Sequence, residues 1–229
     1  MSRPRRLPWW LLIAVTVAGT ATIAMASSLS LTSANLTVFR TCVVTGYPNT
    51  STAAIDTVVK QDSATSNFGT ATSMDVQSQS TNKNHRNYVK FDLSNCSPSI
   101  PSTASVKVAT LRLLVATVPT ACRTHDVFRV TANWTETGIT WNTQPTVSGA
   151  RTSFANVGAA PCTNSTNNVY VSWDVTADVQ AFVAGTATNF GWMIRDDVEN
   201  ASTTARTGTY YSTELGFLGS SPQLVVTYQ

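Results

Sequence analysis

Beyond residue 53, apolar and polar positions alternate along much of the chain. Val89, Phe91 and Leu93 share one phase, with Tyr88, Lys90 and Asp92 between them. Leu111, Leu113 and Val115 repeat the pattern with Arg112 opposite. Val169, Val171, Trp173 and Val175 follow it, and Leu224, Val226 and Tyr228 close the chain in the same way. A pleated strand points successive side chains to opposite faces, so each run predicts a strand with one apolar face. Short strands separated by polar turns predict an all-β chain, folded as a two-layer β-sandwich that closes its apolar faces on each other. One segment departs from this period. Val175, Val179, Phe182 and Val183 fall at helical spacing, with Asp174 placed to cap the start and Gly185 to end it. They predict one short helix over 175–184, covering an end or edge of a sheet.

The N-terminus has a different pattern. Arg3, Arg5 and Arg6 precede an apolar run from Trp9 to Ala18, and Ala24-Met25-Ala26 supplies the small residues a signal peptidase reads. Residues 1–26 therefore read as a cleaved export signal. An uncleaved anchor is the alternative, because Trp9 to Ala26 is near the lower limit of a membrane span. Residues 27–52 are rich in Ser, Thr and Asn and form a tether that runs into a first strand near Phe39 to Val44. Residues 53–229 form the β domain. The expected location is extracellular, secreted or wall-associated, with no membrane contact once the signal is removed.

Export changes the charge balance. The chain has fifteen Lys and Arg against twelve Asp and Glu. Three of the basic residues lie in the signal, so the mature chain is formally neutral, and nothing in it favours nucleic acid or anionic lipid. The cysteines are Cys42, Cys96, Cys122 and Cys162, with no CxxC pair. An even number in an exported chain predicts two disulfides. Three connectivities are possible, and the short loop between Cys96 and Cys122 favours Cys96–Cys122 with Cys42–Cys162.

Candidate chemistry is sparse. His85 and His125 are the two histidines, and no nucleophile-elbow, zinc-protease, P-loop or dinucleotide motif occurs. His125, beside Cys122, Arg123 and Asp126, reads as a structural surface residue. Asp196, Asp197 and Glu199 are candidate calcium ligands, because a hard cation takes several oxygens from one loop; a solvated turn is the other reading. Asp56, Asp62 and Asn67 form a second such set. Trp173 and Trp192 read as core, while Trp134 and Trp141 lie in a turn-rich stretch where they could stack on sugar rings. Lys83, His85, Arg86 and Lys90, with Tyr88 among them, form a basic group that could hold a sugar carboxylate or sulfate through charge-assisted hydrogen bonds.

Several segments, taken in order, carry a resemblance. They include Asp56-Thr57-Val58-Val59, Ser66-Asn67-Phe68-Gly69-Thr70, Tyr88-Val89-Lys90-Phe91-Asp92-Leu93, Asn133-Trp134-Thr135-Glu136, Thr140-Trp141-Asn142-Thr143-Gln144-Pro145 and Gly191-Trp192-Met193-Ile194-Arg195. Their order resembles the DNRLRE domain, also described as carbohydrate-binding module family 96, over about residues 53–229. The Cys-Arg-Thr-His segment at Cys122 is similar to secreted actinobacterial members. The resemblance implies a jelly-roll sandwich that binds an extracellular or cell-wall polysaccharide, acidic ones such as alginate included, without catalysis. On that reading Lys60, Lys83, Arg86, Lys90, Arg112, Trp134 and Trp141 are the candidate binding residues. A structural or adhesive surface protein without a small ligand is the alternative function. An enzyme ranks last, because no acid, base, nucleophile and metal set assembles from the sequence.

Overall fold

The computed structural model describes residues 38–48 and 52–229. The expected signal and most of the tether lie outside the described residues. The strands are β1 (Arg40–Thr45), β2 (Ala54–Lys60), β3 (Ser73–Ser78), β4 (His85–Phe91), β5 (Val106–Thr117), β6 (Arg123–Arg129), β7 (Ser153–Val157), β8 (Tyr170–Asp174), β9 (Trp192–Asp196), β10 (Arg206–Tyr211) and β11 (Gln223–Tyr228). One helix, α1 (Thr176–Val183), lies between β8 and β9. Every ladder is antiparallel. One layer runs β1–β11–β5–β8, and the other runs β2–β4–β9–β6–β7.

A pair of strands joins the layers at one side. β3 pairs with β10 along its length, β10 meets the end of β5, and β3 meets the start of β4. β5 reaches both layers because it is 12 residues long. Its first half pairs with β11, its end pairs with β10, and a register shift between Thr209 and Tyr210 turns the corner. Irregularities of this kind are how a strand passes from one sheet to another.

The core lies between the layers, where the predicted alternation places it. Leu111, Leu113, Val115, Trp173, Leu224 and Val226 face Val89, Phe91, Val127, Trp192 and Ile194 across the gap. The Trp173 indole N–H crosses it to donate to the His125 carbonyl at 3.0 Å. α1 closes one end, with Val175 and Val179 buried in the core and Phe182 and Val183 packed against it. The helix begins one residue later than expected: Val175 is its N-cap, without a side-chain cap bond, and Asp174 before it accepts from the Thr176 N–H through Oδ1 at 2.9 Å. The helix also completes β5: Gln180 Oε1 accepts from Val106 N at 2.8 Å, and Thr176 Oγ1 from Ala109 N at 2.9 Å.

Two expectations are corrected. The disulfides are Cys42–Cys96 and Cys122–Cys162, not Cys96–Cys122 and Cys42–Cys162. The β6–β7 hairpin sets Arg123 opposite Val157, which brings the flanking Cys122 next to the turn that carries Cys162. Between Cys96 and Cys122 the chain crosses to the other layer through β5, so nearness in sequence does not become nearness in space. The second correction concerns β4, which is buried on both faces. Tyr88 joins Val59, Phe128, Val130, Trp134, Ile139 and Met193 in a second apolar cluster on the outer side of its sheet. The segment that follows β6, carrying Trp134, Ile139 and Trp141, folds back over that side.

Candidate functional site

Arg86, Tyr88 and Lys90 alternate on β4 and point to the outer side of its sheet, beneath the 131–147 segment. The Lys90 ammonium lies 5.6 Å from the ring centroid of Trp134, and the Arg86 guanidinium 4.5 Å from that of Trp141. Both are cation–π distances. Tyr88 meets Trp134 edge-on at 5.8 Å. The Trp134 indole is held in place by its N–H, which donates to the Phe190 carbonyl at 2.8 Å. Gln144 ties the upper end together: its Oε1 accepts from Arg86 at 2.9 Å and from the Tyr88 hydroxyl at 3.1 Å, and its Nε2 donates to the Trp141 carbonyl at 2.9 Å.

The two cations differ in what holds them. Arg86 grips Glu199 with two parallel bonds of 2.7 Å each. Burial works against its charge, but Glu199 outweighs that and holds the guanidinium above its ordinary value. Lys90 takes part in none of the ion pairs among the described residues. Burial lowers its pKa, an effect that Asp92 opposes. Lys90 lines a groove of about 400 Å³ with Thr52, Ile55, Phe91, Asp92 and Asn189. Asn189 is committed to structure, donating to the Phe91 carbonyl at 2.8 Å and accepting from Gly191 N at 3.1 Å.

Arg86, Lys90, Trp134 and Trp141 are therefore brought together, and the remaining candidates lie elsewhere. Lys60 faces the other side of its sheet, 3.1 Å from Asp75 and 4.9 Å from the ring of Phe68. Lys83 is exposed in the turn before β4. Arg112 lies on the outer face of the opposite layer, stacked 4.4 Å over Tyr170 and donating to Gln223.

The acidic candidates meet guanidinium groups. Asp196 and Asp197 both accept from Arg123, and Glu199 accepts from Arg86 with Arg195 3.6 Å away. Their oxygens are spread over several arginines and do not converge on one point. In the second set, Asp62 binds His85 at 3.2 Å, and the Asn67 amide donates to the Glu136 and Ile139 carbonyls at 2.7 Å each. His125 is a core residue and not a surface one. Its side chain is fully buried because β6 turns that face inward, opposite Asp196 and against Tyr210.

One further groove lies away from every candidate site residue expected from the sequence. It measures about 670 Å³, between β7 and α1, with Arg151, Phe154, Asp174, Thr176 and Gln180 on its walls. Phe154 is 50% exposed there, and the Arg151 guanidinium stacks on it at 4.4 Å. An exposed aromatic on the outer phase of a strand is the pattern that could have found it.

The family model for carbohydrate-binding module family 96 matches residues 47–228. The chain belongs to carbohydrate-binding module family 96. Among curated proteins, none matches it. A module of family 96 is a carbohydrate-binding and generally non-catalytic unit. In this member the match begins just after β1 and takes in the other strands of both layers, α1 and all the residues of the β4 face.

Proposed function

We propose that this family 96 module is exported and holds an acidic extracellular or wall polysaccharide against the outer side of β4. The observation that carries this reading is Lys90, a cation on a groove wall with an aromatic ring behind it, influenced by Asp92 but in no ion pair among the described residues. A sugar carboxylate or sulfate would supply the missing anion through a charge-assisted hydrogen bond. Arg86 and Arg195 share the single carboxylate of Glu199 beside it, so the neighbouring surface also favours a polyanion. Two disulfides support an oxidising compartment. No helix among the described residues is long and apolar enough to cross a membrane.

Affinity electrophoresis of the mature protein in gels containing alginate, pectate, sulfated and neutral glucans tests the site. The expected result is retardation by at least one polyanion, weakened about tenfold or more by Lys90→Ala, as for loss of one bond to a charged group. Unretarded migration across the whole panel overturns the reading. So does binding that survives Lys90→Ala and is lost in Phe154→Ala or Lys60→Ala, which would place the sugar on another face. N-terminal sequencing of the protein from culture fluid, with Ser27 first, tests export.

A further inference from the structure

Three carboxylates from distant parts of the chain meet at one side of the sandwich. Asp56 comes from β2, Glu136 from the segment after β6, and Glu214 from the 3-10 turn Thr213–Leu215 after β10. One oxygen of each lies within 4.8 Å of the other two. Each carboxylate is anchored through one of its oxygens. Asp56 Oδ2 accepts from Thr213 N at 3.0 Å, Glu136 Oε1 from Asp56 N at 2.9 Å, and Glu214 Oε1 from the Thr213 hydroxyl at 2.9 Å. The remaining oxygens include two buried atoms with no hydrogen-bond partner, Asp56 Oδ1 and Glu214 Oε2. Asp56 itself is fully buried.

No cation among the described residues answers this charge. None of the three residues enters an ion pair among the described residues, although most other carboxylates in the fold, Asp92 and Asp174 apart, are matched to Arg, Lys or His. A buried carboxylate without a partner is strongly unfavourable. Either a bound cation or a shared proton must relieve it.

We propose that Asp56, Glu136 and Glu214 hold one divalent cation, and that it is calcium. Calcium takes six to eight oxygens at about 2.3–2.6 Å, so ligands on opposite sides of it lie up to about 5 Å apart. Carboxylate oxygens within 4.8 Å of one another fit inside that sphere. Magnesium needs about 2.0–2.1 Å in strict octahedral geometry and keeps most of its water, which suits a cage with three protein carboxylates less well. The local fold is built to hold these oxygens in place. Asn67 fixes the Glu136 backbone, and a side chain at Gly69 would come within 2.4 Å of the Glu136 carbonyl oxygen. Of the acidic set expected near the start of the domain, Asp56 alone takes part. The inference does not depend on which polysaccharide is bound, or on whether any is.

The test uses the mature protein stripped with a chelator, calorimetric titration with CaCl2 or MgCl2, and thermal unfolding at each concentration. One calcium is expected per chain, with a melting temperature that climbs steadily with the logarithm of calcium concentration and a weaker response to magnesium. Glu136→Gln and Glu214→Gln, at the less buried ligands, are expected to weaken calcium binding about tenfold or more while the chelated variants stay folded. The titration of the unmodified protein decides the question even if a variant fails to fold. No heat and no thermal shift at millimolar calcium, with a melting temperature that instead rises as the medium is acidified, would assign the cluster to a shared proton and overturn the proposal.

Discussion

Nδ1 of His125 lies 2.6 Å from the hydroxyl of Tyr210 inside the core between the two layers. Both side chains are fully buried. Burial pulls the imidazole down to about 4 from 6.5, against the pull of Asp196 and with a small push from Arg123. The folded protein therefore holds His125 neutral where the unfolded chain protonates it.

The sign of the pH dependence follows. Above about pH 6.5 the contribution of His125 is fully present. As pH falls from there towards 4, the unfolded state binds the extra proton and stability drops, by up to about 3 kcal/mol from this group. Urea unfolding at a series of pH values is expected to show this loss, and His125→Gln should flatten that part of the profile.

Arg86 and Lys90, two residues apart on one face of β4, should separate in experiment. Arg86→Ala leaves Glu199 with only the 3.6 Å contact to Arg195 and is expected to cost about 2 kcal/mol, somewhat below the cost of breaking a fully buried pair. Lys90→Ala breaks no ion pair and should leave the melting temperature nearly unchanged while it lowers retention on polysaccharide. Thermal unfolding of the two variants side by side checks both outcomes.

Gly191 has φ +76°, and a Cβ there would sit 2.1 Å from the carbonyl oxygen of Val89 on the neighbouring strand. Gly191→Ala is therefore expected to cost more than about 3 kcal/mol, through strain and displacement of the ladder together. Gly185 has a similar φ of +70° with open space around it. Gly185→Ala should cost only the left-handed penalty of about 1–2 kcal/mol. Circular dichroism melts of the two variants test the difference.

The disulfides join residues 54 and 40 positions apart. On the chain-entropy account each closure stabilises by about 4 kcal/mol. Peptide mapping without reductant should recover the Cys42–Cys96 and Cys122–Cys162 linkages, and replacing either pair by alanine should lower the midpoint of chemical unfolding.

Local patterning in the chain was enough for the class of fold and for most of the core between the layers. Alternation marks which side of a strand is apolar, and helical spacing marks α1, because both are local consequences of backbone geometry. Leu111, Leu113, Trp173 and Val226 were legible for that reason. Which strands become neighbours was not, since that depends on how the layers stack. Stacking decided the cysteine pairs, buried Tyr88 on a second face, and moved His125 from an expected surface place to the core. It also separated Arg112 from Lys90 and bound Asp196 and Glu199 to arginines. The same packing brought Asp56, Glu136 and Glu214 within reach of one another, although more than seventy residues separate each from the next. Convergence over such distances depends on the closed sandwich, and no short-range pattern in the chain encodes it.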